Sequence, residues 1–213
     1  MAVPKQQAAT IQQQNVNSTM NILQSIQGID IYLLDQLLKG RLELGGKVFD
    51  AGCGYGRNIR MLLSQGYEVA GIDGNPEALA YLKAEFPEAA NNFQTALIEE
   101  YSSKTKYDFV ICNAVLHFAQ GHQHFDAMFK TLANLLAKDG ILFIRMTSNI
   151  GLEDRVGPGE SGVHELPDGS TRYLLTRPKV DSLVETFGLH LIEPVKTVFV
   201  DGLRSMTTLV MQN

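Results

Sequence analysis

The prediction of the fold depends above all on one part of the sequence, Val48-Phe49-Asp50-Ala51-Gly52-Cys53-Gly54-Tyr55-Gly56-Arg57. The apolar residues at its start predict a buried strand over Lys47–Asp50, and the apolar spacing after it predicts a helix over Gly56–Gln65. Between the two, three glycines at alternate positions let the backbone turn sharply and come close to a ligand. A helix that begins behind such a loop favours a negatively charged group. A glycine-rich turn is a weak signal by itself, and its meaning depends on its surroundings.

Strands and helices alternate after this loop. Further strands are predicted at Glu68–Asp73, Phe93–Ala96, Tyr107–Asn113 and Ile141–Met146, and helices at Pro76–Phe86, His124–Leu136 and Pro178–Phe187. Val195–Val200 and Arg204–Met211 flank Asp201-Gly202, which is a hairpin signal. The sequence therefore predicts an α/β fold, in which seven strands form a mostly parallel sheet with helices on both faces and an antiparallel hairpin at the end.

Two segments fall outside this alternation. Residues 1–40 read as a polar leader and a helical cap, with a break near Gly28, a new helix start at Asp30 and an end at Gly40. Residues 147–176 are rich in Gly and Pro and read as a loop-like insertion. We expect a single domain over residues 41–213, with the insertion as a substrate cap and the N-terminal helices as a lid. Simple packing of the helices and a mobile insertion are the alternatives.

The acid at the end of the second strand gives the glycine loop its meaning. Asp73 follows Asp50 by 23 residues, and a carboxylate at that place accepts hydrogen bonds from ribose hydroxyls. A nucleoside-containing ligand is therefore expected. The third glycine of the dinucleotide fingerprint G-x-G-x-x-G would fall at Arg57, so the spacing disfavours a nicotinamide dinucleotide.

The spacing G-x-G-x-G after Asp50 resembles motif I of the class I S-adenosylmethionine (SAM) methyltransferases. Gly71–Leu79, Tyr107–Phe118 and Leu135–Leu142 resemble further motifs of that family, with Asp139 in place of a glycine. The resemblance covers about residues 40–213 and implies a Rossmann-like fold. Gly52–Asn58 is similar to the G-C-G-x-G-R-N of tellurite-resistance-type methyltransferases, but Thr95-Ala96-Leu97 stands where those enzymes tend to carry an Asp. The substrate of that subgroup is therefore not transferred.

The resemblance also implies SAM as the cofactor and a role for each matching residue. Asp50, Gly52, Gly54 and Gly56 would surround the methionine half, Arg57 would pair with its carboxylate, Asp73 would hold the ribose, Gly74, Asn75, Ala96 and Leu97 would enclose the adenine, and Asn113 would lie beside the sulfonium. Capping of a turn or helix is the alternative for the two aspartates, and a solvated position is the alternative for the arginine.

Methyl transfer needs a general base only when the acceptor group is not already ionised. His117, four residues after Asn113, is the candidate base, and a structural histidine at a helix end is the alternative. His117, His122 and His124 match no standard zinc spacing, so no metal is expected. Cys53 and Cys112 are interpreted as packing residues.

Charge and composition limit the partners. The formal net charge of −5 disfavours nucleic acid, and the strand that ends at Asn113 is not followed by the Pro-Pro-aromatic motif of base-amine methyltransferases. Two cysteines, no secretory signal and no membrane-spanning run predict a cytoplasmic protein. We therefore expect a SAM-dependent methyltransferase of a small molecule. A SAM-binding regulatory protein without turnover is the alternative, and a nicotinamide oxidoreductase is less favoured.

Overall fold

The structure is a computed structural model that describes residues 24–156, 159–167, 169–201 and 204–213. The predicted polar leader and the start of the N-terminal helical region lie outside the described residues. The helices are α1 (Ile31–Leu38), α2 (Arg60–Ser64), α3 (Pro76–Glu85), α4 (His122–Asn134) and α5 (Arg177–Phe187). The strands are β1 (Lys47–Ala51), β2 (Glu68–Asp73), β3 (Phe93–Thr95), β4 (Tyr107–Asn113), β5 (Leu136–Ser148), β6 (Val163–Glu165), β7 (Thr171–Tyr173), β8 (His190–Leu191), β9 (Lys196–Val200) and β10 (Arg204–Gln212).

The predicted sheet is confirmed. Its strands lie in the order β3-β2-β1-β4-β5-β10, and β8 and β9 pair with different parts of the outer edge of β10. Strands β1 to β5 are parallel, and β10 runs antiparallel to both β5 and β9. The two-residue strand β8 is an addition to the predicted seven. The chain order reverses between β1 and β4, and ligands of open α/β sheets bind at such a switch point.

Each central strand is buried on both faces, as continuously apolar parallel strands require. Successive residues alternate between two cores: Phe109 and Ile111 of β4 belong to one, and Val110 and Cys112 to the other. Helices α1, α2 and α3 pack on the first core, and α4 and α5 pack on the second. The helices predicted for both faces are thus confirmed.

The helix after the glycine loop is shorter than predicted, because α2 begins at Arg60 and not at Gly56. Gly52, Gly54 and Gly56 have φ values of +85°, +51° and +82°. A right-handed helix cannot contain this left-handed backbone, so residues 52–59 form successive turns. The sequence predicted that a regular helix begins directly after the loop. The structure has turns at that place, and the helix begins at Arg60.

The interpretation of residues 147–176 as wholly loop-like is wrong. Strands β6 and β7 pair antiparallel within this segment, with Val163 opposite Tyr173. Tyr173 is buried and stacks on Phe125 of α4, with ring centroids 4.6 Å apart. Leu175 then returns to the main sheet, where its N–H donates to Thr147 O at 3.1 Å. Both ends of the segment are therefore fixed to the core.

Smaller differences concern the element ends. Helix α4 begins two residues earlier and ends two residues earlier than predicted. Strand β5 begins at Leu136 and not at Ile141 as predicted, and near its start the pairing with β4 shifts in register and Asp139 has a φ of +60°. Helix α1 starts and stops as predicted, since the Asp30 side chain accepts from Tyr32 N–H and Gly40 has a φ of +69°. Within the described ranges, no helix is long and apolar enough to cross a membrane.

Candidate active site

A cavity of about 550 Å³ opens at the carboxyl ends of β1, β2 and β4. Seven of the predicted cofactor residues line it: Gly52, Arg57, Asp73, Gly74, Ala96, Leu97 and Asn113. Four others, Asp50, Gly54, Gly56 and Asn75, do not. The cavity lies at the switch point of the sheet, and its volume is in the range of small-molecule sites.

The carboxylate of Asp73 organises the loop beside the cavity. Its Oδ2 accepts from Gly54 N–H at 2.7 Å, and its Oδ1 accepts from Asn75 N–H at 2.8 Å. Each oxygen keeps a further lone pair, because a carboxylate offers about four acceptor sites. The turn-capping role is therefore present in the structure, and it leaves acceptor capacity toward the cavity for a ribose.

Two of the glycines serve close packing of the loop. A Cβ on Gly52 would lie 2.3 Å from Val115 Cγ2, and one on Gly56 would lie 2.5 Å from Leu82 Cδ1. Gly56 therefore lets the loop approach α3, outside the cavity wall. Asn75 likewise acts on α3, because its side chain accepts from Glu77 N–H and Ala78 N–H at the start of that helix.

Asp50 lies at the end of β1 and is fully enclosed. Its side chain is 1% exposed, and neither carboxylate oxygen has a hydrogen-bond partner among the described residues. Burial raises the pKa of Asp50 to about 7, against the opposing attraction of Arg57, and Asp73 raises it further. A buried carboxyl without a partner is costly, so this position is prepared for a donor or a cation.

Asn113, at the end of β4, shows the same feature. It is 6% exposed, and both its Oδ1 and its Nδ2 lack hydrogen-bond partners among the described residues. The next residue, Ala114, has a φ of +62° and donates its N–H to Arg145 O at 2.7 Å. Left-handed backbone at a non-glycine residue is strained and is concentrated at functional sites. The strained residue that follows β4, Ala114, thus lies in the wall of the cavity.

Arg57 lies at the rim of the cavity and is exposed. Its Nη1 donates to Gly28 O at a long 3.4 Å, which connects the rim to the segment before α1. A guanidinium has five N–H donors, so this contact leaves most of them free to bind a carboxylate. The position suits the role that the resemblance implies.

The far wall of the cavity combines the predicted residue Leu97 with Phe118 and His124, to which the sequence patterns gave no cofactor role. Leu97 and Phe118 present exposed apolar surface, and His124 lies with its Nε2 3.0 Å from Glu99 Oε1, although that pair lacks hydrogen-bond geometry. His124 Nδ1 accepts from Gln120 N–H at 3.1 Å. The sequence places His124 near the start of α4, and this position was the available indication that it could line a site.

His117 lines a different, smaller cavity of about 300 Å³. Ala114 lines both cavities, so the two are neighbours. His117 is 7% exposed and its Nδ1 has no partner among the described residues. Burial lowers the pKa of His117 to about 4, with further contributions from the positive charges of Arg172 and Arg204. At neutral pH the ring is uncharged, and its Nδ1 is available to accept or donate a hydrogen bond.

The three clustered histidines have separate surroundings. His122 Nδ1 lies 2.9 Å from the Tyr173 hydroxyl, whereas His117 and His124 line different cavities. In the part of the chain that the structure describes, no group of three or more His, Cys, Asp and Glu side chains is arranged to hold a metal ion. Cys53 and Cys112 are both buried, free thiols, and burial raises the pKa of each.

Sequence comparison matches the glycine loop and the adjoining strands to a known family model. The family model for a methyltransferase domain matches residues 49–144. A probable SAM-dependent methyltransferase, TehB of Haemophilus influenzae, is 36% identical over 74 residues, which are 34% of this chain. The alignment spans only 26% of that relative, about a quarter of its length.

Solved structures share the fold along most of the chain. A SAM-dependent methyltransferase from Clostridium acetobutylicum superposes with a TM-score of 0.66 at 14% identity, covering 92% of this chain and 98% of that one. The 1,6-didemethyltoxoflavin-N1-methyltransferase of Burkholderia thailandensis, solved with 1,6-didemethyltoxoflavin and S-adenosylhomocysteine (SAH), gives 0.65 at 20% identity, covering 100% and 92%. Residues 49–144 therefore match a methyltransferase domain, and most of the chain shares the fold of solved SAM-dependent methyltransferases, including the antiparallel end of the sheet.

Proposed function

We propose that this protein transfers the methyl group of SAM to a small-molecule acceptor by in-line displacement. The observation that carries the proposal is the pair of buried, unpartnered side chains Asp50 and Asn113 at the ends of adjacent strands. Beside them lies a cavity with a carboxylate, Asp73, and an apolar wall around Leu97. Polar groups left without partners in a buried position are expected to find them in a ligand.

The residues present fit SAM. Bound SAM supplies the electrophilic methyl group, and the protein supplies position and a site shielded from water. Asp73 would accept from the ribose hydroxyls, and Gly74, Ala96 and Leu97 would contact the adenine. Asp50 would complement the positively charged ammonium of the methionine half, and Arg57 its carboxylate. Asn113 would lie beside the sulfonium.

The acceptor would enter next to His117, whose cavity adjoins the first at Ala114. In-line displacement needs the acceptor atom opposite the departing sulfur, and neighbouring cavities satisfy this need. His117 would take the acceptor proton where the acceptor is not ionised. A lowered pKa keeps its ring neutral and ready to accept a proton, although it also makes the ring a weak base.

The small-molecule nature of the acceptor is part of the proposal. The Burkholderia structure contains 1,6-didemethyltoxoflavin, a small molecule, in a protein of the same fold. The net charge of −5 and the missing base-amine motif argue against nucleic acid. The cytoplasmic location is also proposed, because two buried free thiols suit a reducing compartment. Residues 147–176 and the N-terminal helices would cover the acceptor.

Titration calorimetry with SAM and SAH tests the cofactor part. We expect both to bind the wild-type protein, and Asp73→Ala to weaken binding at least about tenfold, or 1.4 kcal/mol. Glu77→Gln is the matched control, because Glu77 is an exposed acid in the first turn of α3 and does not line the cavity. If SAM at millimolar concentration does not bind, or if Asp73→Ala binds like wild type, the proposal is overturned.

Transfer of tritium from methyl-labelled SAM to a broad panel of small acceptors tests turnover. We expect at least one labelled product, and a rate that depends on Asn113. Binding of SAM without transfer to any acceptor would favour the regulatory alternative. Binding of NADH with quenching of its fluorescence would instead favour the oxidoreductase.

A further inference from the structure

The smaller cavity beside His117 is strongly basic. Its walls contain three arginines from three different strands, Arg145 of β5, Arg172 of β7 and Arg204 of β10. The remaining lining residues are Ala114, His117, Thr147, Leu166, Ser170, Val200 and Met206. No Asp or Glu is among these described residues. The net charge of the chain is −5, so a cavity whose described lining contains three arginines and neither Asp nor Glu has the opposite charge to the chain as a whole.

The charge of Arg145 is partly compensated by a carboxylate outside the cavity. Arg145 Nη1 lies 3.2 Å from Asp30 Oδ2, and its guanidinium lies over the Tyr32 ring at 5.2 Å. These contacts fix the side chain from the α1 side. Its Nε is buried and has no hydrogen-bond partner among the described residues. The ion pair therefore orients Arg145 without using all of its donors.

Arg172 is oriented by two contacts among the described residues. Its Nη1 donates to Thr171 O at 2.7 Å, and its guanidinium lies 4.8 Å from the centre of the Phe118 ring. A carbonyl and an aromatic face orient a guanidinium but carry no formal negative charge. Phe118 also lines the cofactor cavity. Arg172 thus stands next to the boundary between the two cavities.

His117 completes this set of donors. Its buried Nδ1 has no partner among the described residues, and the ring packs edge-on against Phe118 with centroids 4.5 Å apart. Guanidinium groups and an imidazole N–H are the donors that bind carboxylates and phosphates best. Water screens the mutual repulsion of these positive charges in part, whereas a bound anion would attract them directly.

We propose that the methyl acceptor carries an anionic group, a carboxylate or a phosphate, which binds in this cavity between Arg172, Arg204 and His117. This inference rests on the proposed methyl transfer, because it names the class of acceptor for that same site. The anion anchors the acceptor on the arginines. The rest of the molecule extends past Ala114, where the two cavities adjoin, and presents its methyl-accepting atom to the cofactor.

The anchor also has a consequence for proton transfer. Burial lowers the pKa of His117, and the positive charges of Arg172 and Arg204 lower it further. A bound anion offsets their effect and raises the pKa of His117, which makes the ring a stronger base when the acceptor is present. The groups facing the ring are the two arginines and, next to Ala114, Arg145; Asp30 lies behind Arg145.

Nuclear magnetic resonance of protein labelled with nitrogen-15 in histidine tests the proposal. The chain has five histidines, and His117→Gln assigns the signal of His117. Samples saturated with SAH are titrated with benzoate, inorganic phosphate and benzamide, the neutral analogue of benzoate. We expect a saturable shift of the His117 signal and a raised His117 pKa with at least one of the two anions, and no shift with benzamide. The anion that binds more tightly, benzoate or phosphate, shows whether the anchoring group is a carboxylate or a phosphate.

Arginine variants locate the anion. Arg172→Gln and Arg204→Gln are each expected to weaken anion binding about tenfold, while Arg177→Gln, an exposed arginine at the start of α5, leaves it unchanged. Unchanged SAH affinity shows that each variant is folded. The proposal is overturned if benzamide binds like benzoate, if neither anion gives a saturable shift at about 50 mM, or if both arginine variants bind like wild type. Failure of SAH to bind would overturn the proposed function instead, and the anion titrations of SAH-free protein would still decide this inference.

Discussion

Gly52 shows why the glycine loop, here also called the cofactor loop, needs glycine: no side chain fits at this position. Its backbone is left-handed, and a Cβ would overlap Val115, whose branched side chain has little freedom to move. Gly66 offers a comparison, because it has a similar φ of +80° and nothing within 4 Å of a Cβ. The two glycines share the backbone strain and differ in the overlap.

We therefore expect Gly66→Ala to lower the free energy of unfolding by about 1 kcal/mol, from the backbone term alone. Gly52→Ala should lose about 1–3 kcal/mol more, from overpacking, and should also lose SAH affinity. Urea denaturation and calorimetry measure the two effects. Equal losses for the two variants would show that Val115 moves aside without cost, against this explanation of the glycine.

The buried carboxyl of Asp50 predicts an unusual dependence of stability on pH. Its folded-state pKa of about 7 lies above its ordinary value of 3.8, so the folded protein holds a proton that the unfolded chain has released. Stability is then full below about pH 4 and falls as the pH rises toward 7. Asp50→Asn removes this titration, and it should stabilise the SAH-free protein more at pH 8 than at pH 5.

Urea denaturation of wild type and Asp50→Asn at both values measures this difference, and Glu77→Gln serves as an exposed control. A stabilisation that does not change between pH 5 and pH 8 would contradict a buried, protonated Asp50. The same substitution should weaken SAM binding. A stabilised protein that binds its cofactor less well is the expected sign of a residue retained for function.

Among the elements, helix α1 is connected to the site by Asp30, the residue that caps its N-terminus. Asp30 accepts from Tyr32 N–H at 3.0 Å and pairs with Arg145 at 3.2 Å. Asp30→Asn keeps an oxygen for the cap and removes the charge, whereas Asp30→Ala removes both. We expect Asp30→Ala to be about 1 kcal/mol less stable than Asp30→Asn, because of the lost cap. Thermal and urea unfolding measure it; equal stabilities would mean that the cap contributes nothing.

The success of the sequence predictions differs among the elements for physical reasons. The parallel strands are continuous apolar runs, so β1, β2 and β4 were found almost to the residue. The start of α2 was not, because the loop glycines adopt backbone angles that no residue pattern reveals. The β6–β7 pair was missed because Val163-His164-Glu165 is too short and too polar to show a strand period.

The site was predictable only where chain neighbours form it. Asp73 and the glycines follow their own strands directly, and spacing identified them. The second cavity brings His117 together with Arg145, Arg172 and Arg204. These residues are distant in sequence and meet only through the sheet order and the β6–β7 pair, so tertiary packing alone creates the basic cavity.

At the scale of the whole molecule, the segment around α1 and the cofactor loop are coupled. Asp30 N–H donates to Asn58 Oδ1 at 3.1 Å, and Arg57 Nη1 donates to Gly28 O. Asn58 is buried but does not line the cofactor cavity. Ordering of the loop by a bound cofactor should therefore stabilise α1 as well, since a ligand that binds only the folded, ordered state stabilises everything linked to that state.

We expect SAH to slow amide hydrogen exchange in the cofactor loop and also in α1, measured by mass spectrometry of peptic fragments. Helix α5, which packs on the other core, is the internal control and should change little. Asn58→Ala removes the acceptor of Asp30 N–H, so the protection of α1 should disappear while that of the loop remains. If SAH protects the loop and leaves α1 of the wild-type protein unchanged, the N-terminal helix is only packed against the domain. Protection that depends on Asn58 would support the action of α1 as a lid, because binding of the cofactor would then order the helix that is proposed to cover the acceptor.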